Sequence, residues 1–156
     1  MNIRRLALAA ALVALSPAAF AATATADMVV SINVTNNCTV SAAPLAFGNS
    51  DLSAAADATA VIGVTCSNVG AYSVAFGPGN NVSGAQRRMQ RGASGEFLNY
   101  NLFSDAGRAT ALTTFAGTST GGNVANNHTV FGRVPAGQSN KTTGAYGDSV
   151  VVTLTY

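Results

Sequence analysis

The sequence predicts an all-β fold, a sandwich of two sheets. Three observations carry that expectation. Short runs of apolar and β-branched residues recur along the chain, several alternating in and out with the period of two that a half-buried strand requires. Between them lie clusters of Gly, Asn, Ser, Asp and Pro, and the 16 glycines fall mostly in these clusters. No stretch sustains the spacing of an amphipathic helix. With 48% of residues hydrophobic and 9% charged, the chain has ample material for a core and is not a disordered polyanion or polycation.

The chain opens MNIRRLALAAALVALSPAAFAATA. Arg4 and Arg5 precede an apolar run from Leu6 to Leu15, Ser16-Pro17 ends it, and Ala19-Phe20-Ala21 supplies small residues at a cleavage position. This is the pattern of a signal peptide over residues 1–21. The run is shorter than the ~20 apolar residues of a membrane helix, so no membrane span is expected in the mature chain. Ala24-Thr25-Ala26 offers a second cleavage site; the first is expected, because the second would leave Asp27 as the terminus. The remainder, 22–156, has the length of one domain. Loss of Arg4 and Arg5 leaves six basic against six acidic residues. A near-neutral chain has no field to draw in nucleic acid or an anionic membrane, and Arg87, Arg88 and Arg91 are a local cluster within it.

Asp27–Thr35, DMVVSINVT, alternates strictly. Met28, Val30, Ile32 and Val34 share one face of an extended strand; Val29, Ser31, Asn33 and Thr35 share the other. It belongs to an N-terminal extension, 22–36, ahead of the domain at 37–156, and reads as a strand made for another molecule's sheet. Cys38 and Cys66 follow. In an exported chain the pair is expected to be a disulfide. Its closed loop contributes roughly 3.5 kcal/mol in the chain-entropy account.

Cys38–Phe47 reads as the first core strand, interrupted at Pro44 and ended by Gly48. Asn49–Asp57 is a polar connection with room for one helical turn. Ala58–Cys66 is a strand with Ala60, Ile62, Val64 and Cys66 on one face, and Tyr72–Phe76 is another. Gly77-Pro78-Gly79-Asn80-Asn81 is a turn. Gln86–Gln90 is a short edge strand. Glu96–Phe103 sets Leu98, Tyr100 and Leu102 opposite Phe97, Asn99, Asn101 and Phe103. Gly117–Asn127 reads as a flexible loop, His128–Val134 as a strand and Pro135–Gln138 as a turn. Ser149–Tyr156 is the last strand, with Val150, Val152, Leu154 and Tyr156 on one face. A strongly apolar strand at the end of the chain has no successor to cover its edge, and such edges are normally protected. One terminus thus offers a gap and the other a filler.

Little points to catalysis. His128 is the single histidine, Glu96 the single glutamate, and no GxSxG frame accompanies them. Gly77-Pro78-Gly79 lacks the lysine and following helix of a phosphate loop. Two thiols and one imidazole do not make a metal site, and no catalytic residue, metal or cofactor is expected. Met89 is expected to pack inward while a neighbouring arginine pairs with Asp105 or Asp148. Tyr100 and Tyr146 are expected at the core or sheet ends, hydroxyls outward.

Read in order, several short motifs resemble one family. They are Cys38 after Asn36-Asn37, Leu45-Ala46-Phe47-Gly48, Val64-Thr65-Cys66, Arg87-Arg88-Met89, Leu98-Asn99-Tyr100-Asn101-Leu102-Phe103, Phe131-Gly132-Arg133-Val134 with Gly137-Gln138, and Gly144-x-Tyr146-x-Asp148 leading into VVVTLTY. The set resembles the spore coat protein U domain of pilin subunits in archaic, Csu-type chaperone–usher fimbriae. The resemblance implies an incomplete immunoglobulin-like sandwich completed by a donor strand. A periplasmic chaperone would lend that strand first. At the outer-membrane usher, the N-terminal segment of another copy or a sister pilin would replace it. A fimbrial subunit at the cell surface, serving adhesion and biofilm formation, is then expected. Two alternatives stay open: a spore or cell-surface coat protein, and a monomeric secreted binding sandwich.

Overall fold

A computed structural model describes residues 20–156. The expected signal peptide, 1–21, therefore lies outside the described residues except for its last two. Among the described residues there is no helix, and none long and apolar enough to cross a membrane. The chain falls into two units, divided between Asn33 and Val34. In the first, residues 20–33 form no strand. The expected strand over Asp27–Thr35 is thus not formed within this chain: a lone extended segment has no neighbour to take its backbone hydrogen bonds.

The second unit is a sandwich of eight strands: β1 (Cys38–Ala42), β2 (Ala56–Cys66), β3 (Val69–Phe76), β4 (Arg87–Gln90), β5 (Phe97–Phe103), β6 (Thr114–Thr120), β7 (Ala125–Val134) and β8 (Val152–Thr155). One sheet has the order β1-β2-β7-β5-β4 and the other β6-β3-β8, all neighbours antiparallel. The register follows the alternation seen in the sequence. Ala60, Ile62, Val64 and Cys66 of β2 face inward, as do Leu98, Tyr100 and Leu102 of β5, and all seven are buried. Ile62, Val64, Cys66, Tyr100 and Leu102 form one core cluster with Tyr72, Val74 and Phe76 of the opposite sheet. Cys38 pairs with Cys66 in register and the two are disulfide-bonded, as expected.

Several boundaries differ: β2 and β3 begin earlier than expected, at Ala56 and Val69, and four further differences have a physical reason. β1 stops at Ala42; Ala43 N–H makes one more bond, to Val61 O, and Pro44 then has no N–H to carry the ladder on. The connection 49–55 holds bends rather than a helical turn, with Leu52 in the left-handed region at φ 63°. β8 spans only Val152–Thr155 because the chain before it bends across to β4, where Gln90 and Gly147 exchange both backbone hydrogen bonds at 2.8 and 2.9 Å. Gly117–Asn127 is not a loop. It contributes the end of β6, a tight turn, and the start of β7. The inward positions of β6 are Phe115, Gly117 and Ser119, and the glycine is required. A Cβ at Gly117 would lie 2.6 Å from Tyr72 Cζ, so the tyrosine ring occupies the side-chain space the strand leaves empty.

Candidate functional site

The chain leaving β1 does not stay at the sheet edge. Ala43 donates its N–H to Val61 O at 2.9 Å, and the next residues fold in across the inner face of the five-stranded sheet. Leu45 and Phe47 come to rest on Gly132 of β7. A Cβ at Gly132 would stand 2.6 Å from Leu45 Cδ2 and 2.9 Å from Phe47 Cζ, so only glycine admits both side chains. The Phe47 ring is tilted against Tyr100, centroids 6.4 Å apart. This segment is one wall of a groove.

The other wall is the approach to β8. Asp148 fixes it: Tyr100 donates its hydroxyl to Oδ2 at 2.7 Å, while Oδ1 accepts the N–H groups of Asn80 at 2.9 Å and Asn81 at 3.2 Å. Burial, then the hydrogen bond to the Asp148 carboxylate, pushes the Tyr100 phenol well above its usual range. Beyond Asp148, Val150, Val152 and Leu154 turn half-buried side chains toward the core.

Between the walls the sandwich stays open. The groove holds a cavity of about 330 Å³ floored by Ile62, Phe76, Leu102 and Val130 and flanked by Leu45, Phe47, Met89, Val150 and Val152. A second cleft shares Leu45, Phe47, Met89 and Tyr146 with it and runs on between Ala46–Leu52 and Ser139–Ala145. The lining is apolar side chain below and free strand edge at one side. β3 pairs with only one edge of β8, and Gly77 N–H donates to Val151 O at 2.8 Å. By antiparallel alternation Val151, Thr153 and Thr155 point their backbone groups at β3, whereas Val150, Val152 and Leu154 point theirs away from it. No strand takes those groups among the described residues. The residues whose side chains enter the core are therefore the ones whose N–H and C=O groups lie along the unpaired edge.

Of the expected last-strand face, Val150, Val152 and Leu154 lie together on the groove side, and Tyr156 is 56% exposed. Met28, Val30, Ile32 and Val34 are exposed by 83, 80, 89 and 68%, respectively. The groove's inner wall, Leu45 and Phe47, and its clamp, Asp148, were not singled out as site residues by sequence reasoning. Their signal was the spacing of Phe47, Gly132 and Tyr100, which only the fold brings together. The expected arginine pairs with Asp105 or Asp148 do not form. Arg87 donates to the carbonyls of Phe76 and Gly77, and Arg88 donates to Asn81 O at 2.9 Å and stacks 4.1 Å above the Phe97 ring. Asp105 instead accepts the N–H groups of Ala109 and Thr110 in its own turn. Nor does the Tyr100 hydroxyl point out to solvent; its burial leaves it no route there. Met89 does pack inward.

His128 has aromatic rather than acidic company. Its Nε2 is 2.7 Å from the Tyr72 hydroxyl, and its ring lies 4.1 Å from that of Phe115. Burial holds its pKa below the ordinary 6.5. Among the described residues no three His, Cys, Asp or Glu side chains gather as a metal site.

The model of the Spore Coat Protein U domain matches residues 24–153. Protein U of Myxococcus xanthus is 33% identical over 95% of this chain and 93% of its own length. A chain in the crystal structure of the CsuC–CsuE chaperone–tip adhesion subunit pre-assembly complex, from archaic chaperone–usher Csu pili of Acinetobacter baumannii, is similar in fold. Its TM-score is 0.60 at 21% identity over 79% of this chain, and the match spans 40% of that chain.

Proposed function

The chain belongs to the spore coat protein U domain family, and from that premise we propose that it is a fimbrial subunit that polymerises by donor-strand complementation. The extension 22–36 of one copy, or of a sister pilin, enters the groove of the next. Met28, Val30, Ile32 and Val34 fill the cavity while the backbone pairs with the free edge of β8, an instance of strand addition. Anchors two residues apart repeat every ~6.6 Å, and so do the residues of β8 that carry the free edge. A periplasmic chaperone occupies the groove first, an outer-membrane usher exchanges it for the donor, and the fibre at the cell surface serves adhesion and biofilm formation. Residues 1–21 direct export, and 37–156 form the receiving domain.

The observation that carries the reading is the coexistence of an open apolar groove beside an unpaired strand edge with an exposed, strictly alternating apolar segment. Burying four such side chains contributes roughly 6–12 kcal/mol, comparable to the ~5–15 kcal/mol net stability of a whole domain. The family name and the relationship to Protein U favour a second reading, a coat protein that assembles as a layer.

Electron microscopy of expressing cells, together with recovery of the chaperone complex, tests both. Ile32→Asp puts a charge into the groove and is expected to abolish fibres while leaving the chaperone-bound subunit intact. Asn33→Asp, on the opposite face, keeps both, and Val152→Asp loses both. Fibres formed normally by Ile32→Asp would refute the donor assignment. A fibre-free layer would favour the coat reading.

A further inference from the structure

The extension has a built root. Asn36 Oδ1 accepts the Asn68 N–H at 3.0 Å and the Ser67 hydroxyl at 3.3 Å. Asn37 donates its N–H to Ser67 Oγ at 3.1 Å, and its carbonyl accepts the Ser67 N–H at 2.9 Å. Asn68 Nδ2 donates to Thr35 O at 2.9 Å. The next residue, Cys38, is bridged to Cys66. Gly70 leaves the room, since a Cβ there would stand 2.8 Å from Asn36 Nδ2. The anchoring turn is itself held from behind: Gly122 donates its N–H to Ser67 O at 3.0 Å, and Asn123 to Cys66 O at 3.1 Å. Thr35, Asn36 and Asn37 are thus each fixed to the β2–β3 connection and Cys38 to the end of β2, whereas residues 20–33 form no strand.

A disulfide alone would fix where the chain leaves the domain but not its direction. We propose that the clasp of Asn36 and Asn37 on Ser67 and Asn68 is a positioning device that sets the stiffness of the joint between successive subunits. The inference rests on the reading of Met28–Val34 as the donor. In a fibre the donor is held by the next subunit as far as Val34, and the clasp holds the chain from Thr35. One peptide link then separates two folded bodies. Without the side chains of Asn36 and Asn68 the first fixed residue becomes Asn37, two residues on, which keeps its two backbone bonds to Ser67. That adds about 7 Å of chain, with two soft dihedrals per residue. The clasp touches neither the groove nor the donor's apolar face, so it governs the bend of the joint and not the grip of one subunit on the next.

The test compares fibres from cells making the parent chain, Asn36→Ala, Asn68→Ala, and a chain with two glycines inserted between Val34 and Thr35, in which the clasp is intact but the joint is longer. Persistence length is measured from micrographs, and strength of coupling from the temperature at which fibres dissociate in detergent. All three variants are expected to form fibres in parental amount with parental dissociation temperature, and a persistence length shorter by about twofold or more. Parental stiffness in the alanine variants overturns the proposal, as does an insertion that softens nothing. A lowered dissociation temperature or loss of fibres in the alanine variants, with normal fibres from the insertion, also overturns it by giving the clasp a folding role. Absence of fibres from the parent chain would instead sink the donor reading, and this proposal with it.

Discussion

Replacing Gly132 by alanine tests the groove wall directly. The added methyl would lie 2.6 Å from Leu45 Cδ2 and 2.9 and 3.1 Å from Phe47 Cζ and Cε1. Ordinary carbon contacts are ~3.5–4.0 Å, so both side chains must retreat by about 1 Å. Tyr100 stands beside Phe47, which leaves the groove as the direction of escape. Overpacking of this kind costs about 1–3 kcal/mol. The Gly132 carbonyl still accepts from Arg108 Nε, at 3.2 Å, so no hydrogen bond is lost in the change. The assay is a double-mutant cycle by urea unfolding. Leu45→Ala removes the nearest atom that the methyl meets, and the double variant should be less destabilised than the sum of the singles by about 1 kcal/mol or more. Gly132→Ala should also weaken capture of a synthetic peptide spanning residues 27–35, because the displaced side chains narrow its seat. Additivity within about 0.5 kcal/mol would refute the packing argument.

Tyr100→Phe removes the hydroxyl from Asp148, which keeps its bonds to Asn80 and Asn81; a loss of about 1–2 kcal/mol of unfolding free energy, measured with urea, is expected. Reduction of Cys38–Cys66, or its replacement by serines, should cost roughly 3.5 kcal/mol in the same measurement, and an unchanged midpoint would contradict the loop-closure account. Stability should respond to acid in two windows. Burial lowers the pKa of His128 in the folded state, so the unfolded chain binds the proton first; stability falls as pH drops below about 6.5 and levels off once folded His128 is also protonated. Asp57, held low by Arg133, Glu96 by the Thr142 hydroxyl and Arg91, and Asp105 by the N–H groups of Thr110 and Ala109, stabilise at neutral pH. That support goes as pH falls through the carboxylate range. His128→Gln should flatten the upper window and leave the lower one.

Where one side chain per strand step decides burial, the sequence was readable. Ala60 to Cys66 and Leu98 to Leu102 alternate in the chain as they do in the core. It was unreadable where the space is filled by something distant. Gly117 and Ser119 look like loop because the bulk over that strand belongs to Tyr72. Leu45 and Phe47 look like the end of a first strand because their seat, Gly132, lies far along the chain. Arg87 and Arg88 suggested carboxylate partners. Backbone carbonyls at the strand ends took them instead, since those groups lacked ladder partners and a charge count cannot register them. The alternating segment before the domain reads as a strand, yet none forms there in the structure, because nothing within the described chain takes its backbone hydrogen bonds.

The arrangement of β8 divides two kinds of information. Its inward side chains shape a volume, whereas its exposed edge consists only of amide and carbonyl, the part of a polypeptide common to all sequences. Whatever docks there is admitted on the bulk and spacing of every second side chain, with the intervening ones unread. Half the positions of an incoming segment are thereby free to drift without altering the fit. Val151, just before β8, and Thr153 and Thr155 on its far face are exposed as well, so docking of this kind would constrain very little of the surrounding surface.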